Sequence, residues 1–150
     1  MKKLIVTGGS GFIGSNLIKY LLSKNYFVIN IDKLNYSAHP YNLKKVSNNK
    51  NYIFFKTDIN DKKKLIKIFN KYKPDGVFNL AAETHVDRSI DGPKNFIDSN
   101  IVGFYNLLES FKKYSQINPK TKLVHVSTDE VYGDIIKGRS DENYPYKPSS

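Results

Sequence analysis

A chain of 150 residues with 39% hydrophobic content is long enough to bury one core, so we expect a single domain over residues 1–150. It has no cysteine and only three scattered histidines, which argues against disulfides and metal sites. The formal charge of +10 is compatible with a nucleic-acid partner, but the lysines fall on solvated faces of amphipathic segments, so we expect no nucleic acid.

The predicted elements alternate between short β-branched runs and longer amphipathic segments. Strands are predicted at residues 3–7, 26–31, 52–56, 76–81 and 122–127. Helices are predicted at residues 12–23, 62–72 and 93–114, with a weaker one at 41–46. No apolar run approaches the roughly 20 residues of a membrane span, and the apolar part of MKKLIVTGG is too short for a signal peptide. We therefore expect a cytoplasmic protein that does not enter a membrane.

This alternation predicts an α/β fold with a doubly wound, mostly parallel sheet, because parallel strands need crossover connections and helices supply them on both faces. The last stretch, GDIIKGRSDENYPYKPSS, has turn formers and no periodicity. Since a doubly wound sheet normally continues beyond a fifth strand, we expect the chain to stop before the last strands and the substrate lobe.

A glycine-rich turn joins the first strand to the first helix in KLIVTGGSGFIGSNLI. Gly9, Gly11 and Gly14 fit the spacing G-x-G-x-x-G, and Gly8, Gly11 and Gly14 fit G-x-x-G-x-x-G. A Cβ in this turn would keep a pyrophosphate from the backbone, and the following helix offers free N–H groups at its N-terminus. The turn therefore predicts a dinucleotide site.

An acid, Asp32, ends the second predicted strand, about 20 residues beyond the glycine turn. A carboxylate there accepts hydrogen bonds from ribose hydroxyls and repels a 2′-phosphate, so NAD is favoured over NADP. Lys33 beside it weakens this discrimination. The alternative is a tight strand–helix turn with an incidental acid, but strand, glycines, helix and acid all coincide.

Two further strand ends are predicted to face the same crevice, since ligands of such sheets bind beyond the carboxyl ends of the strands. After the third strand, Asp58 can bind the adenine amino group while Ile59 packs on the ring. Equally, Asp58 can cap the helix that begins near Asp61. After the fourth strand, Ala81 and Ala82 are small, as a backbone close to a cofactor requires, although small residues also end buried strands.

The stretch HVSTDEVYGD ends an apolar run in two adjacent carboxylates, Asp129 and Glu130. A solvated acidic turn explains them, and so does a general acid paired with a general base. The residues by themselves leave both interpretations open.

Together these stretches resemble the extended short-chain dehydrogenase/reductase family, and within it the nucleotide-diphosphate-hexose 4,6-dehydratases. The resemblance covers nearly the whole chain: VTGGSGFIGSN, DKLNY, TDIND, NLAAETHVDRSI, NIVGFYNLLE, VSTDEVYGD and PYKPSS. The glycine motif is shared by the superfamily, whereas ETHVDRSI together with STDEVYG is far more specific. The resemblance implies a Rossmann fold with NAD as cofactor and a nucleotide-diphosphate hexose as substrate, dTDP-glucose before UDP-glucose. It also implies a homodimer.

In that family NAD oxidises C4 of the sugar, water is eliminated across C5 and C6, and the hydride returns to C6. The resemblance assigns Glu130 as the base for the C5 proton, Asp129 as the acid for the C6 hydroxyl, and Thr128 as a contact of the hexose near O4. The two carboxyl groups must converge, so the backbone has to leave strand geometry at Thr128 or just after. Asp129 also needs a raised pKa, which an adjacent carboxylate in a partly desolvated crevice supplies.

The resemblance implies further contacts. Thr84 matches a substrate position, while His85, Asp87 and Arg88 shape the pocket or brace loops. The implied cofactor contacts are Gly8, Gly11, Phe12, Ile13, Gly14, Asp32, Lys33, Leu34, Asn35, Asp58, Ile59, Leu80, Ala81, Ala82, Glu83 and Ser99.

The segment NIVGFYNLLESF carries apolar side chains that join a dimer interface in the family, and burial against the chain's own sheet explains them equally well. These side chains are Ile101, Leu107, Leu108 and Phe111.

The Tyr-x-x-x-Lys pair of the family's hydride step, which follows the PYKPSS-like segment in the family, has no counterpart in these 150 residues; the bare spacing occurs by chance, for example at Tyr20 and Lys24 on the first helix. We therefore expect the 150 residues alone to bind NAD weakly or not at all, and not to dehydrate a sugar nucleotide. The competing interpretations are a UDP-glucose dehydratase, an epimerase, a UDP-glucuronate decarboxylase and a non-catalytic dinucleotide-binding module. Asp129 argues against the epimerase and the decarboxylase, which expel no C6 hydroxyl.

Overall fold

A computed structural model describes residues 1–149 and contains one sheet. Its strands are β1 (Lys3–Thr7), β2 (Phe27–Asp32), β3 (Tyr52–Lys56), β4 (Gly76–Asn79) and β5 (Lys122–His125). They are all parallel, in the order β3-β2-β1-β4-β5, so the winding direction reverses between β1 and β4. This arrangement confirms the predicted α/β fold with a doubly wound sheet.

The helices lie between successive strands and cover both faces of the sheet. They are α1 (Phe12–Ser23), α2 (Lys62–Tyr72), α3 (Val86–Asp91), α4 (Pro93–Phe96) and α5 (Phe104–Ile117). A stretch of π-helix, Ile97–Gly103, joins α4 to α5, and two short 3₁₀ turns cover Pro40–Val46 and Asp129–Tyr132. No helix within residues 1–149 is long and apolar enough to cross a membrane.

Two hydrophobic cores lie on opposite faces of the sheet because successive side chains of a strand point in opposite directions. In β1, Ile5 faces one core while Leu4 and Val6 face the other. The core beneath α2 and α5 consists of Ile5, Ile29, Ile31, Leu65, Ile68, Phe69, Val77, Leu107 and Tyr114. The core beneath α1 consists of Leu4, Val6, Ile18, Leu21, Leu22, Val28 and Leu43. Each fully buried aliphatic side chain stabilises the fold by roughly 1.5–3 kcal/mol.

The registers align the carboxyl ends of the central strands at one edge of the sheet. Thr7 lies opposite Ile31 of β2 and opposite Asn79 of β4, and Asn79 lies opposite His125 of β5. In a doubly wound sheet this edge, beside the reversal of strand order, is where ligands bind.

Five predicted elements differ from the structure, and the smallest difference is in β2, which is predicted at 26–31 and runs from Phe27 to Asp32. The strands predicted at 76–81 and 122–127 end at Asn79 and His125, because β1 ends at Thr7 and leaves no partner strand for longer neighbours. The helix predicted at 93–114 is a helical run interrupted by the π-helix, and the one at 41–46 is a 3₁₀ turn. The short helix α3 was not predicted.

Candidate functional site

A cleft of about 670 Å³ opens at the carboxyl edge of the sheet. The sequence-predicted cofactor and substrate residues line it, with the single exception of Leu34. Of the predicted catalytic residues, Thr128 and Glu130 line the cleft, whereas Asp129 does not. The cleft therefore unites the glycine turn with the first and third residues of the Thr-Asp-Glu stretch.

The glycines of the turn have two different physical roles. Gly8 has φ +66°, and a Cβ there would lie 2.7 Å from the carbonyl carbon of Leu80. A Cβ on Gly14 would lie 2.3 Å from the carbonyl oxygen of Gly8, so these two glycines allow backbones to pack closely. A Cβ on Gly11 would meet the same oxygen at 3.4 Å and would otherwise face open space. Gly11 therefore leaves room in the cleft, as a pyrophosphate on the helix N-terminus requires.

The carboxylate of Asp32 is held in place by two backbone N–H groups. Ser10 N donates to its Oδ2 at 2.9 Å, and Leu34 N donates to its Oδ1 at 2.8 Å. Leu34 reaches that position with φ +60°, an uncommon conformation for a branched side chain. Leu34 thus contributes its backbone rather than its side chain. Each oxygen of Asp32 has a further lone pair that a ribose hydroxyl can use.

The side chain of Glu83 is buried and receives two side-chain donors. Lys33 Nζ lies 3.0 Å and Asn35 Nδ2 lies 2.8 Å from its Oε1. Burial acts to raise the pKa of Glu83, but the hydrogen bonds from Asn35 and Lys33 outweigh it and leave the pKa below its ordinary value. Lys33 Nζ also lies 4.0 Å from Asp58.

The prediction that Asp58 is the N-cap of α2 is wrong. The N-cap of α2 is Asp61, whose Oδ1 accepts from Lys64 N at 3.0 Å. Asp58 instead accepts from Asn60 N at 2.9 Å in a local turn. Its place in the cleft lining leaves the adenine interpretation as the prediction for this residue.

The π-helix brings the α5 side of the cleft close to the end of β3. Gly103 lies against Ile59, where a Cβ would come within 2.8 Å of the Ile59 side chain. Ser99, in the same π-helix, is buried and lines the cleft.

Polar side chains at the ends of β1, β4 and β5 form a hydrogen-bonded row that the sequence did not predict, and one of them, His125, lines the cleft. The Thr7 hydroxyl donates to Asn79 Oδ1, and Asn79 Nδ2 donates to His125 Nδ1 at 2.9 Å. The neutral His125 ring therefore carries its proton on Nε2, and burial lowers its pKa. The ring stacks on Phe104 at 4.0 Å between centroids. The available signal was the presence of polar residues inside otherwise apolar strands.

The Thr-Asp-Glu stretch forms the start of a 3₁₀ turn, with Thr128 as its N-cap. The Thr128 hydroxyl accepts from Glu130 N and donates to Asp129 Oδ1, both at 3.3 Å. This confirms that the backbone leaves strand geometry before the carboxylates. Asp129 lines a smaller hollow of about 320 Å³, which Glu130 shares. Both carboxylates are exposed, so the expected desolvation is not supplied by residues 1–149.

The loops around the cleft are braced by aromatic contacts. The Arg88 guanidinium of α3 lies 3.7 Å from the ring centroid of Tyr36, which connects α3 with the loop after β2.

The closing segment packs on the 3₁₀ turn, because Lys147 N donates to Val131 O at 2.9 Å. Ser150, the last residue of PYKPSS, lies outside the described residues.

The apolar residues of the α5 region divide between two faces. Leu107 is fully buried and Phe111 packs against the core, as the burial interpretation requires. Ile101 is 63% and Leu108 is 38% exposed, so these two remain on the surface. The chance pair of Tyr20 and Lys24 lies on or just after α1, outside the cleft lining.

The sequence of the chain is similar to that of a known protein family. Residues 5–150 match the family described as GDP-mannose 4,6 dehydratase. The chain belongs to this family. The match confirms the resemblance to nucleotide-diphosphate-hexose 4,6-dehydratases that the motifs indicate.

Relatives of this GDP-mannose 4,6 dehydratase family member share its sequence and fold. The dTDP-glucose 4,6-dehydratase of Haemophilus influenzae is 50% identical over all of this chain and 47% of its own length. The crystal structure of dTDP-glucose 4,6-dehydratase from Bacillus anthracis in complex with NAD has a TM-score of 0.86 at 40% identity, covering 100% of this chain and 45% of that one. UDP-glucose 4-epimerase of Thermus thermophilus in complex with NAD has a TM-score of 0.84 at 32% identity, covering 99% and 45%. The chain thus spans less than half the length of these relatives.

Proposed function

We propose that this chain is the NAD-binding part of a nucleotide-sugar 4,6-dehydratase that converts dTDP-glucose to dTDP-4-keto-6-deoxyglucose. The observation that carries the proposal is a single cleft that joins the glycine turn and Asp32 to Thr128 and Glu130. The names of the Haemophilus influenzae and Bacillus anthracis relatives support the substrate, and the NAD complex of the latter supports the cofactor.

The residues of the cleft fit a bound NAD. Gly11 leaves space beside the free N–H groups that begin α1, which suits a pyrophosphate. The fixed carboxylate of Asp32 suits the adenosine ribose, while Asp58 and Ile59 suit adenine. NAD supplies a hydride acceptor for sugar C4, and the C4 ketone makes the C5 proton acidic.

The chemistry of the chain's own residues is an elimination. Glu130 takes the C5 proton and Asp129 gives a proton to the departing C6 hydroxyl, so the C5–H and C6–O bonds break, a C5=C6 double bond forms and water leaves. Thr128 contacts both neighbours through one hydroxyl, which fixes their relative positions. A sugar oxygen at O4 can replace Asp129 as the acceptor of that hydroxyl proton.

The direct test is an assay of the protein expressed from its complete gene, supplied with dTDP-glucose or UDP-glucose and followed by NMR of the sugar. We expect a 4-keto-6-deoxy product, formed faster from dTDP-glucose. The absence of keto product from both substrates would remove the dehydratase proposal. The purified chain of 150 residues is expected to form none, since no Tyr-x-x-x-Lys pair within residues 1–149 lines its cleft.

An epimerase is the second candidate, favoured by the likeness to the Thermus thermophilus enzyme. It would convert UDP-glucose to UDP-galactose without loss of water, and it has no use for an acid at Asp129. The same NMR assay separates the two, because an epimerase product keeps its C6 hydroxyl.

We also propose that the protein forms a homodimer through an exposed stripe on the π-helix and α5. The stripe consists of Ile97, Ile101, Tyr105 and Leu108, which recur at helical spacing and are all exposed. A surface of adjacent apolar side chains on a helix is stabilised when a second copy covers it.

Introducing Ile101→Glu together with Leu108→Glu is expected to convert the dimer to a monomer, because two charges would be buried without partners. Light scattering coupled to size exclusion measures the mass of the protein expressed from its complete gene. Lys113→Glu, an exposed change on another face of α5, is the control and should leave the dimer intact. A monomeric wild type, or a double variant that stays dimeric, would overturn the dimer proposal.

A further inference from the structure

We infer that Glu83 makes the cleft selective for NAD over NADP by forming an ion pair with the ammonium group of Lys33, so that this group is not available to a 2′-phosphate. This inference rests on the proposed function, since it concerns how the same cleft chooses its dinucleotide. Glu83 acts as a positioning residue: it affects the cofactor through Lys33.

Glu83 is fixed in place from two directions. Its side chain accepts the hydrogen bonds from Lys33 and Asn35, and the residue is only 6% exposed. Its main chain is held by the Asn100 amide group, which accepts from Glu83 N at 2.8 Å and donates to Glu83 O at 2.8 Å. Glu83 therefore cannot follow Lys33 away from this position, and its buried carboxylate needs the cation beside it.

Lys33 is the residue that makes selectivity a problem. It follows Asp32, the acid expected on the adenosine ribose, and a cation near that acid is the usual means of accepting a 2′-phosphate. In the structure its ammonium group lies 3.0 Å from Glu83 and 4.0 Å from Asp58. Two carboxylates thus neutralise the cation that a 2′-phosphate would require.

The charges at this end of the cleft add to the effect. Asp32, Asp58 and Glu83 carry three negative charges against the single positive charge of Lys33, and all four residues line the cleft. A 2′-phosphate would bring further negative charge to a region that is already net negative. Selectivity therefore does not rest on Asp32 alone.

The test is the Glu83→Gln variant of the protein expressed from its complete gene. The new amide can still accept the hydrogen bond from Asn35, but it no longer neutralises Lys33. We expect the ratio of the NADP and NAD dissociation constants to shift at least about tenfold toward NADP, since the freed ammonium group can make a charge-assisted hydrogen bond to the 2′-phosphate, and such a bond changes an equilibrium by about that factor or more. Titrations of the ¹⁵N-labelled protein with each dinucleotide give both constants and show that the variant is folded.

Lys33→Gln in the Glu83→Gln background is the matched control. Without its cation, the double variant should return to the wild-type ratio. Lys33→Gln alone tests the inference independently of any folding defect in Glu83→Gln, and it should not shift the ratio toward NADP, because it removes the cation and leaves Asp32, Asp58 and Glu83 in place.

The outcomes separate this inference from the proposed function. If Glu83→Gln weakens the binding of NAD and NADP equally, Glu83 only braces the loop. This result overturns the inference but not the proposed function. A shift toward NADP in Lys33→Gln alone, or a double variant that keeps the ratio of Glu83→Gln, also overturns it, because the gain would then not come from a freed Lys33. If millimolar NAD shifts no cleft resonance of the wild type, the proposed function fails and the inference fails with it.

Discussion

Gly14→Ala is expected to destabilise the chain by about 3 kcal/mol, near the upper end of the cost of forcing extra volume into a packed site. The new Cβ would lie 2.3 Å from the Gly8 carbonyl oxygen and 2.7 Å from the Gly9 Cα. These are backbone atoms, so relief requires α1 to move away from the turn. For a chain of this length the midpoint of thermal unfolding should fall by roughly 6–12 °C, measured by circular dichroism.

Gly11→Ala is the matched control, because it makes the same chemical change in the same turn. Its Cβ would meet only the Gly8 oxygen, at an ordinary 3.4 Å, and φ −74° is accessible to alanine. We expect a change in stability below about 1 kcal/mol, since the loss of a glycine N-cap is offset by a less flexible unfolded chain. In the protein expressed from its complete gene, NAD affinity should in contrast fall at least about tenfold, because the methyl group occupies space that a pyrophosphate needs. Equal stability of the two variants would contradict this division of roles.

The elements that the sequence predicts well are those whose pattern follows from their own burial. β1, α1, β3 and α2 have the predicted bounds, since alternation or helical spacing of apolar residues is enough to define them. The strand ends could not be predicted, because β4 and β5 stop where the neighbouring strand stops. That depends on a contact between segments distant in the chain.

In the candidate site, too, local sequence signals are predicted well and contacts between distant segments are not. The glycine turn and Asp32 are local signals, and the structure places them together in the cleft. The hydrogen bonds that connect Thr7, Asn79 and His125 join three strands, and a polar residue inside an apolar strand does not indicate which strand it pairs with. The pairing of Lys33 with Glu83 likewise joins residues far apart in the sequence, so the sequence alone suggested that Lys33 would weaken the selectivity for NAD.

The position of Asp129 requires a further step for catalysis. Glu130 lines both the main cleft and the smaller hollow, whereas Asp129 lines only the hollow. In the proposed elimination, Asp129 and Glu130 must reach the same sugar, because C5 and C6 are bonded neighbours. The Thr128 hydroxyl accepts from Glu130 N and donates to Asp129, and in the proposed mechanism transfer of that donation to a sugar oxygen would free Asp129 to turn toward the cleft.

Glu130→Gln should lower kcat for keto-sugar formation by roughly 10²–10⁴-fold, the usual contribution of a positioned acid or base. The amide keeps the size of the side chain and its place in the cleft lining, but it cannot accept the C5 proton. KM and the dissociation constant for NAD should change little, because the carboxylate acts on the sugar only after binding. Both are measured with the protein expressed from its complete gene.

Glu142→Gln provides the matched control, since it removes an equally exposed carboxylate that lines neither the cleft nor the smaller hollow. Its kcat should equal that of the wild type. Asp129→Asn tests the partner role: its rate should also fall, yet in D₂O the recovered substrate should carry deuterium at C5, because Glu130 still removes that proton. A Glu130→Gln variant that keeps more than about a tenth of the wild-type rate would show that another group is the base. Thr128 and Asp129 would then be left as a solvated turn beside the cleft, and the elimination would have to be assigned to residues outside this stretch.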